Sequence, residues 1–112
     1  MLKSLTANDQ VDALLSTAGV AWLLKHSNTC PISQAAHEAV ETYLARHGDQ
    51  PVGVVVVQTH RPVSNWVSTK LGVTHQSPQL FLLNAGKVAW QASHWSITAE
   101  AMEGAWSAVR GP

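Results

Sequence analysis

The single cysteine of this 112-residue sequence, Cys30, lies between a polar stretch and an apolar pattern with helical spacing. Pro31 follows it, and proline suits the first turn of a helix because its missing N–H would have no partner there. Free backbone N–H groups and the positive end of a helix dipole favour a thiolate, the reactive form of cysteine. We therefore expect Cys30 to have a lowered pKa, with Lys25 or His26 as secondary contributors. The alternative is a buried and inert cysteine.

Ser33 lies three positions after Cys30, where a dithiol oxidoreductase carries its second cysteine. With serine there, Cys30 cannot close an internal disulfide, and any mixed disulfide must be resolved by another molecule. Ser33 is a candidate hydrogen-bond donor to the sulfur; the alternative is a first-turn serine that bonds only backbone groups. The histidines follow no recognised zinc spacing, so no metal site is expected.

Two further segments could hold a substrate beside the cysteine. Residues 61–65 open a helix after an apolar strand, so their N–H groups and Arg61 could hold a carboxylate; alternatively, Arg61 is a solvated loop charge. The Ser77–Pro78 bond precedes another strand. We predict that this bond is cis and that the Ser77 peptide faces the Cys30 sulfur, where it could pair with an extended substrate; the alternative is an ordinary trans proline. The predicted substrate-binding residues are Arg61, Pro62, Ser64, Asn65, Ser77 and Pro78.

The apolar patterns predict a domain with the element order α, β, α, β, α, β, β, α. Thr6 is expected to cap the first helix, with Asp9 in the capping-box position, and Thr98 to cap the last. The predicted strands are residues 20–24, 52–57, 80–83 and 88–92. A parallel βαβ unit followed by a helix and an antiparallel hairpin resembles the thioredoxin plan. We therefore expect one α/β domain over residues 1–112, with a four-stranded mixed sheet flanked by helices.

The composition limits the classes of partner and the compartment. A formal net charge of zero provides no bulk electrostatic reason to bind nucleic acid or an anionic membrane. No apolar run reaches the length of a membrane span, and the N-terminal segment lacks the apolar core of a signal peptide. A lone cysteine fits a reducing compartment. We expect a cytoplasmic protein without nucleic-acid or membrane partners.

Four segments taken together resemble the monothiol bacilliredoxins, the YtxJ-like family. The resemblance runs from about residue 6 to the final helix and departs at His75-Gln76, where many members carry an acidic residue before the serine. The matching segments are residues 25–33 around the cysteine, residues 61–65, residues 75–79 and residues 86–94.

The resemblance implies a monothiol thiol–disulfide oxidoreductase in which Cys30, assisted by Pro31 and Ser33, removes bacillithiol from protein mixed disulfides. Bacillithiol, a cysteine–glucosamine–malate thiol, would be a co-substrate, and no bound cofactor is implied. The partners would be bacillithiolated client proteins, and the role would be thiol redox homeostasis under stress. The alternatives are an inactive thioredoxin-fold binding module and an iron–sulfur carrier of the monothiol glutaredoxin type.

Overall fold

The apolar run at residues 20–24 becomes the central strand of a mixed sheet. The computed structural model describes residues 2–110, and in it this strand extends to His26 and pairs along both edges. The elements in chain order are β1 Leu2–Ser4, α1 Asn8–Leu15, β2 Val20–His26, α2 Pro31–Leu44, β3 Val52–Val56, α3 Arg61–Leu71, β4 Gln79–Asn84, β5 Lys87–Ser93, a short 3₁₀ helix His94–Ser96, and α4 Ala99–Arg110.

The sheet order is β1-β3-β2-β4-β5. Strands β1 and β2 run parallel to β3, whereas β4 runs antiparallel to both β2 and β5. The parallel βαβ unit followed by a helix and a hairpin is the predicted thioredoxin-like α/β fold. None of the helices in the described part of the chain is long and apolar enough to cross a membrane.

Over residues 2–110 the sheet has five strands, so the prediction of four was wrong. The additional strand is β1, which pairs in parallel with β3 through Leu2 opposite Val52. It has only three residues, and none of them is fully buried. Such a short edge strand lacks the alternation of apolar and polar residues by which a strand is recognised in a sequence.

The side chains of β2 alternate between two cores, one on each face of the sheet. Trp22 and Leu24 pack with residues of α2 and α4 on one face. Leu23 packs with residues of α1 and α3 on the other face. Because the period of a strand is two, Lys25 shares the α3 face with Leu23.

The two predicted helix caps have different outcomes. The Thr98 hydroxyl accepts the backbone N–H three positions later at 3.0 Å, which confirms it as the cap of α4. At the start of α1, Gln10 Oε1 accepts the N–H groups of Thr6 at 2.6 Å and Ala7 at 3.2 Å. Ala7 is the N-cap residue, so the prediction of Thr6 was wrong. Gln10 takes the capping role predicted for Asp9 because Gln10 lies three residues after this N-cap, in the capping-box position.

A buried glutamine joins the core of α2 to the central strand. Gln50 Oε1 accepts hydrogen bonds from the Trp22 indole and from the Tyr43 hydroxyl, each at 2.7 Å. Burial raises the pKa of Tyr43 to about 12, so the phenol remains a donor at neutral pH. One amide oxygen thereby satisfies two buried donors.

Candidate functional site

Cys30 lies where β2 has ended and α2 begins. It is the N-cap residue of α2, its backbone is extended, and Pro31 occupies the first turn. Its side chain is partly buried. The first N–H groups of an α-helix have no partner within the helix, so they are available to a group at this position.

The pKa of the Cys30 thiol is lowered from its ordinary value. The largest cause is the backbone N–H of Ser33, and the Ile32 N–H and the Ser33 hydroxyl add to it, while burial opposes the shift. In the described chain, the Cys30 side chain makes no capping hydrogen bond to α2. The N–H groups and the Ser33 hydroxyl therefore act as dipoles that stabilise a thiolate. The helix start therefore favours the reactive form, as the sequence predicts.

Ser33 bonds a backbone group, and its hydroxyl also contributes to the lowered pKa of Cys30. Its side chain is fully buried, and its oxygen accepts the N–H of Ser27 at 3.2 Å. A hydroxyl accepts and donates at once, so its single hydrogen remains for the Cys30 sulfur. Ser33 therefore satisfies a loop N–H and also favours the thiolate.

The predicted contribution of Lys25 or His26 to the Cys30 pKa was wrong. In the described chain the groups that lower this pKa belong to Ile32 and Ser33. The pKa of His26 is itself lowered, first by burial and then by His37, whose ring centroid is 5.2 Å away. A histidine that resists protonation provides little positive charge at neutral pH.

Gln58, in the connection between β3 and α3, holds the loop that leads to Cys30. Its side-chain oxygen accepts the Asn28 N–H at 3.1 Å, and its amide nitrogen donates to Ser27 Oγ and, at 3.1 Å, to Thr29 Oγ1. The sequence prediction missed this residue. A lone glutamine in a loop carries no signal in sequence, because its role depends on a contact between distant segments.

The predicted substrate-binding residues at the start of α3 differ in their exposure to solvent. Arg61, Pro62 and Asn65 are exposed, so Arg61 is open to an anionic ligand. Ser64 is buried, and its Oγ lies 3.5 Å from His75 Nδ1. That Ser64 binds substrate stays a prediction.

The Ser77–Pro78 bond is cis, which confirms the prediction for the backbone. Pro78 is buried, and its carbonyl accepts the His94 N–H at 3.2 Å, which ties the loop to the end of β5. The Ser77 hydroxyl is buried and has no hydrogen-bond partner in the described chain. That the Ser77 peptide faces the Cys30 sulfur stays a prediction.

The sheet register brings these three segments to one edge of the molecule. His26 of β2 lies beside Val56 of β3, so the chain leaves both strands at the same edge. Lys25 of β2 lies opposite Gln79, where antiparallel β4 enters the sheet. The cysteine loop, the start of α3 and the Ser77–Pro78 loop therefore meet at this edge.

The chemistry of this edge is that of a nucleophilic thiol without a second thiol. Within residues 2–110, no group of three or more histidine, cysteine, aspartate or glutamate side chains is arranged to hold a metal ion. The residues that approach the sulfur are N–H and O–H donors, which stabilise a thiolate. The arrangement can therefore attack a disulfide and form a mixed disulfide.

Comparisons with known proteins agree with this chemistry. A solved protein described as a proposed oxidoreductase with a thioredoxin fold is 29% identical, with a TM-score of 0.89 over 95% of this chain and 94% of its own. A mutant thioredoxin from Halobacterium salinarum is 18% identical, with a TM-score of 0.77 over 99% of this chain and 92% of its own. A mutant Entamoeba histolytica thioredoxin is 20% identical, with a TM-score of 0.73 over 95% and 97% of the two chains. These two thioredoxins share the fold.

The family described as monothiol bacilliredoxin BrxC matches residues 3–102, which is most of the chain. The motif around Cys30 lies inside the matched region, as do both segments that flank it in space. The chain therefore belongs to the monothiol bacilliredoxin BrxC family, and it has a thiol redox role on a thioredoxin fold.

Proposed function

We propose that this protein uses Cys30 to remove bacillithiol from mixed disulfides with protein cysteines, in a reducing compartment such as the cytoplasm. The observation that carries the proposal is the position of Cys30 at the start of α2, with Ser33 where a second thiol would stand. A thiolate at that position can attack a disulfide. Because no second cysteine follows, the reaction needs an external thiol to finish.

The proposed reaction has two balanced exchange steps. In the first, the Cys30 thiolate attacks the bacillithiol sulfur of the mixed disulfide, a new S–S bond forms, and the client cysteine leaves as a thiolate that takes up a proton. In the second, the thiolate of another bacillithiol attacks the adduct. Bacillithiol disulfide leaves, and Cys30 returns as a thiolate with no net change in its oxidation state.

Two parts of the edge are suited to the two halves of the substrate. Arg61 is exposed at the first turn of α3, where its guanidinium and the helix N–H groups can pair with the malate carboxylates of bacillithiol. The Ser77 peptide offers backbone groups to an extended client segment. The client backbone and the small thiol would then be held on either side of Cys30.

The test is to load one model protein with bacillithiol or with glutathione and to compare the rates of release. A well-made hydrogen bond to a charged group contributes roughly 1.5–3 kcal/mol, so one such contact predicts release of bacillithiol at least about tenfold faster. Arg61→Gln should reduce this preference. Lys70→Gln, which removes another exposed cation of α3, is the matched control and should keep it.

The outcomes separate the mechanism from the specificity. Equal rates with the two thiols would remove the case for bacillithiol and leave a general monothiol reductant. Release by a Cys30→Ala variant would refute the mechanism. An inactive binding module would instead show alkylation of Cys30 no faster than that of a free thiol.

A further inference from the structure

Lys25 places a charged group inside the protein without a carboxylate beside it. Its side chain is fully buried on the α3 face of the sheet, between Val55 of β3 and Gln79 of β4. Within residues 2–110, no acidic side chain lies within ion-pair distance of its ammonium. Its Nζ instead donates to Ser68 Oγ at 2.7 Å and lies 3.0 Å from His75 Nδ1.

The contact with His75 defines the protonation state of that ring. An ammonium only donates, so Nδ1 must accept, and the neutral ring must carry its proton on Nε2. A protonated His75 would place two cations 3.0 Å apart and would leave the buried ammonium without this acceptor. His75 is exposed to solvent, so a proton can reach it directly.

The loop of residues 73–78 is tied to the sheet by side chains. Gln79 Oε1 accepts the Gln76 N–H, and its amide nitrogen donates to the Thr74 carbonyl, both at 3.2 Å. The contact between Lys25 and His75 is the tie in the middle of this loop. Ser77 lies two residues after His75, so the position of its peptide depends on these ties.

We propose that Lys25 and His75 are positioning residues that hold the loop of residues 73–78 against the sheet beside Cys30 while His75 is neutral, and that protonation of His75 loosens the loop. This inference rests on the proposed function, because it assigns to the loop the task of pairing with the client segment. The charged groups that face His75 are Lys25 from β2 and Arg61 from α3. Both repel a proton on the ring.

The electrostatics of the pair agree with this direction. Burial lowers the pKa of His75, and the charges of Lys25 and Arg61 lower it further, so the ring is neutral at neutral pH. The loop is therefore held at neutral pH and is released as the pH falls through this lowered pKa. The exchange rate should fall on the acid side more steeply than the Cys30 thiolate population alone requires.

The test compares two pH profiles in three variants. Alkylation of Cys30 by iodoacetamide reports the thiolate, whereas release of bacillithiol from a loaded protein also needs the loop. In His75→Asn, the amide oxygen can accept from Lys25 but cannot titrate, so activity at neutral pH should persist. The additional fall of the release rate at acid pH, which we call the acid limb, should disappear. His75→Leu removes the acceptor and should lower the neutral rate by about 10- to 100-fold, with alkylation unchanged. His47→Asn, beyond the end of α2, is the matched control and should keep the wild-type profile.

A second measurement works even if the release assay fails. Amide hydrogen exchange of Gln76 and Ser77 is compared between wild type and His75→Asn at the same pH, so that the intrinsic pH dependence cancels. The ratio of wild-type to variant rates should rise as the solution is acidified. A constant ratio, or an acid limb that survives in His75→Asn, would overturn the positioning role. Loss of release in the wild type with a rising ratio would refute the proposed function alone.

Discussion

The buried ammonium of Lys25 should make the protein less stable than it would be with an apolar side chain in the same place. Methionine has a similar length and no charge, so Lys25→Met keeps most of the packing between β2 and α3. We predict that this variant has a higher free energy of unfolding than the wild type at neutral pH. The expectation runs against the view that a buried, hydrogen-bonded charge must be stabilising.

The magnitude follows from the cost of burying the charge. Burial lowers the pKa of Lys25 from 10.5 to about 8. At about 1.36 kcal/mol per pKa unit, holding the charge in the folded state costs about 3 kcal/mol below pH 8. Methionine gives up the hydrogen bonds to Ser68 and His75, each worth about 1 kcal/mol. The net gain in unfolding free energy should therefore be about 1–2 kcal/mol.

The pH dependence provides a sharper assay than the gain itself. Because the folded-state pKa lies below the unfolded value, the unfolded chain holds the Lys25 proton more tightly between about pH 8 and 10.5. The unfolding free energy should rise with pH through this window, and this increase should be lost as the pH falls to 8. Measured by urea unfolding, the unfolding free energy of the wild type should rise by about 2 kcal/mol more than that of Lys25→Met between about pH 7 and 9.5.

The control is Lys87→Met, which removes an exposed lysine at the start of β5 and should change stability by less than about 0.5 kcal/mol. A difference between wild type and Lys25→Met that does not change with pH would show that burial does not shift the Lys25 pKa. A variant less stable than the wild type at neutral pH would show that the hydrogen bonds outweigh the desolvation of the charge.

Three further outcomes are expected. The pH midpoint of Cys30 alkylation, measured by iodoacetamide kinetics against pH, should lie below that of a free thiol. Ser33→Ala should raise this midpoint, because a hydroxyl that favours the thiolate is lost. Gln58→Ala should cost about 1 kcal/mol in urea unfolding, because three loop contacts vanish, whereas the exposed Gln34→Ala should cost less than about 0.5 kcal/mol. Gln50→Leu should cost roughly 2–4 kcal/mol, because it leaves the buried indole and phenol donors without an acceptor, and a smaller loss would contradict that account.

The long elements were predictable because each carries a repeated pattern. The apolar run of β3 and the helical spacing of α2 predict their elements to within a few residues. Thr98 was predictable as a cap because its hydroxyl suits the free N–H groups of a helix start, whereas the cis form of Ser77–Pro78 was expected only from the likeness to the thioredoxin plan. The position of Cys30 followed from the proline after it and from the strand before it.

The parts of the site that were missed depend on contacts between distant segments. Lys25 ends an apolar run, and a charged residue there predicts a loop because burying an unpaired charge is costly. In the protein β2 continues through it, since Ser68 and His75 supply hydrogen-bond partners from segments more than forty residues away. Gln58 and the buried orientation of Ser64 have the same origin.

The buried hydroxyl of Ser33 has a consequence for how long an adduct on the protein survives. The sequence contains no thiol other than Cys30, and the place of a neighbouring one is filled by an oxygen that already holds the Ser27 N–H. No other thiol of the same chain can therefore displace a sulfur-linked group from Cys30. Its lifetime varies inversely with the concentration of free thiolate in the medium. The fraction of molecules that carry such a group thus measures the supply of reducing thiol around the protein.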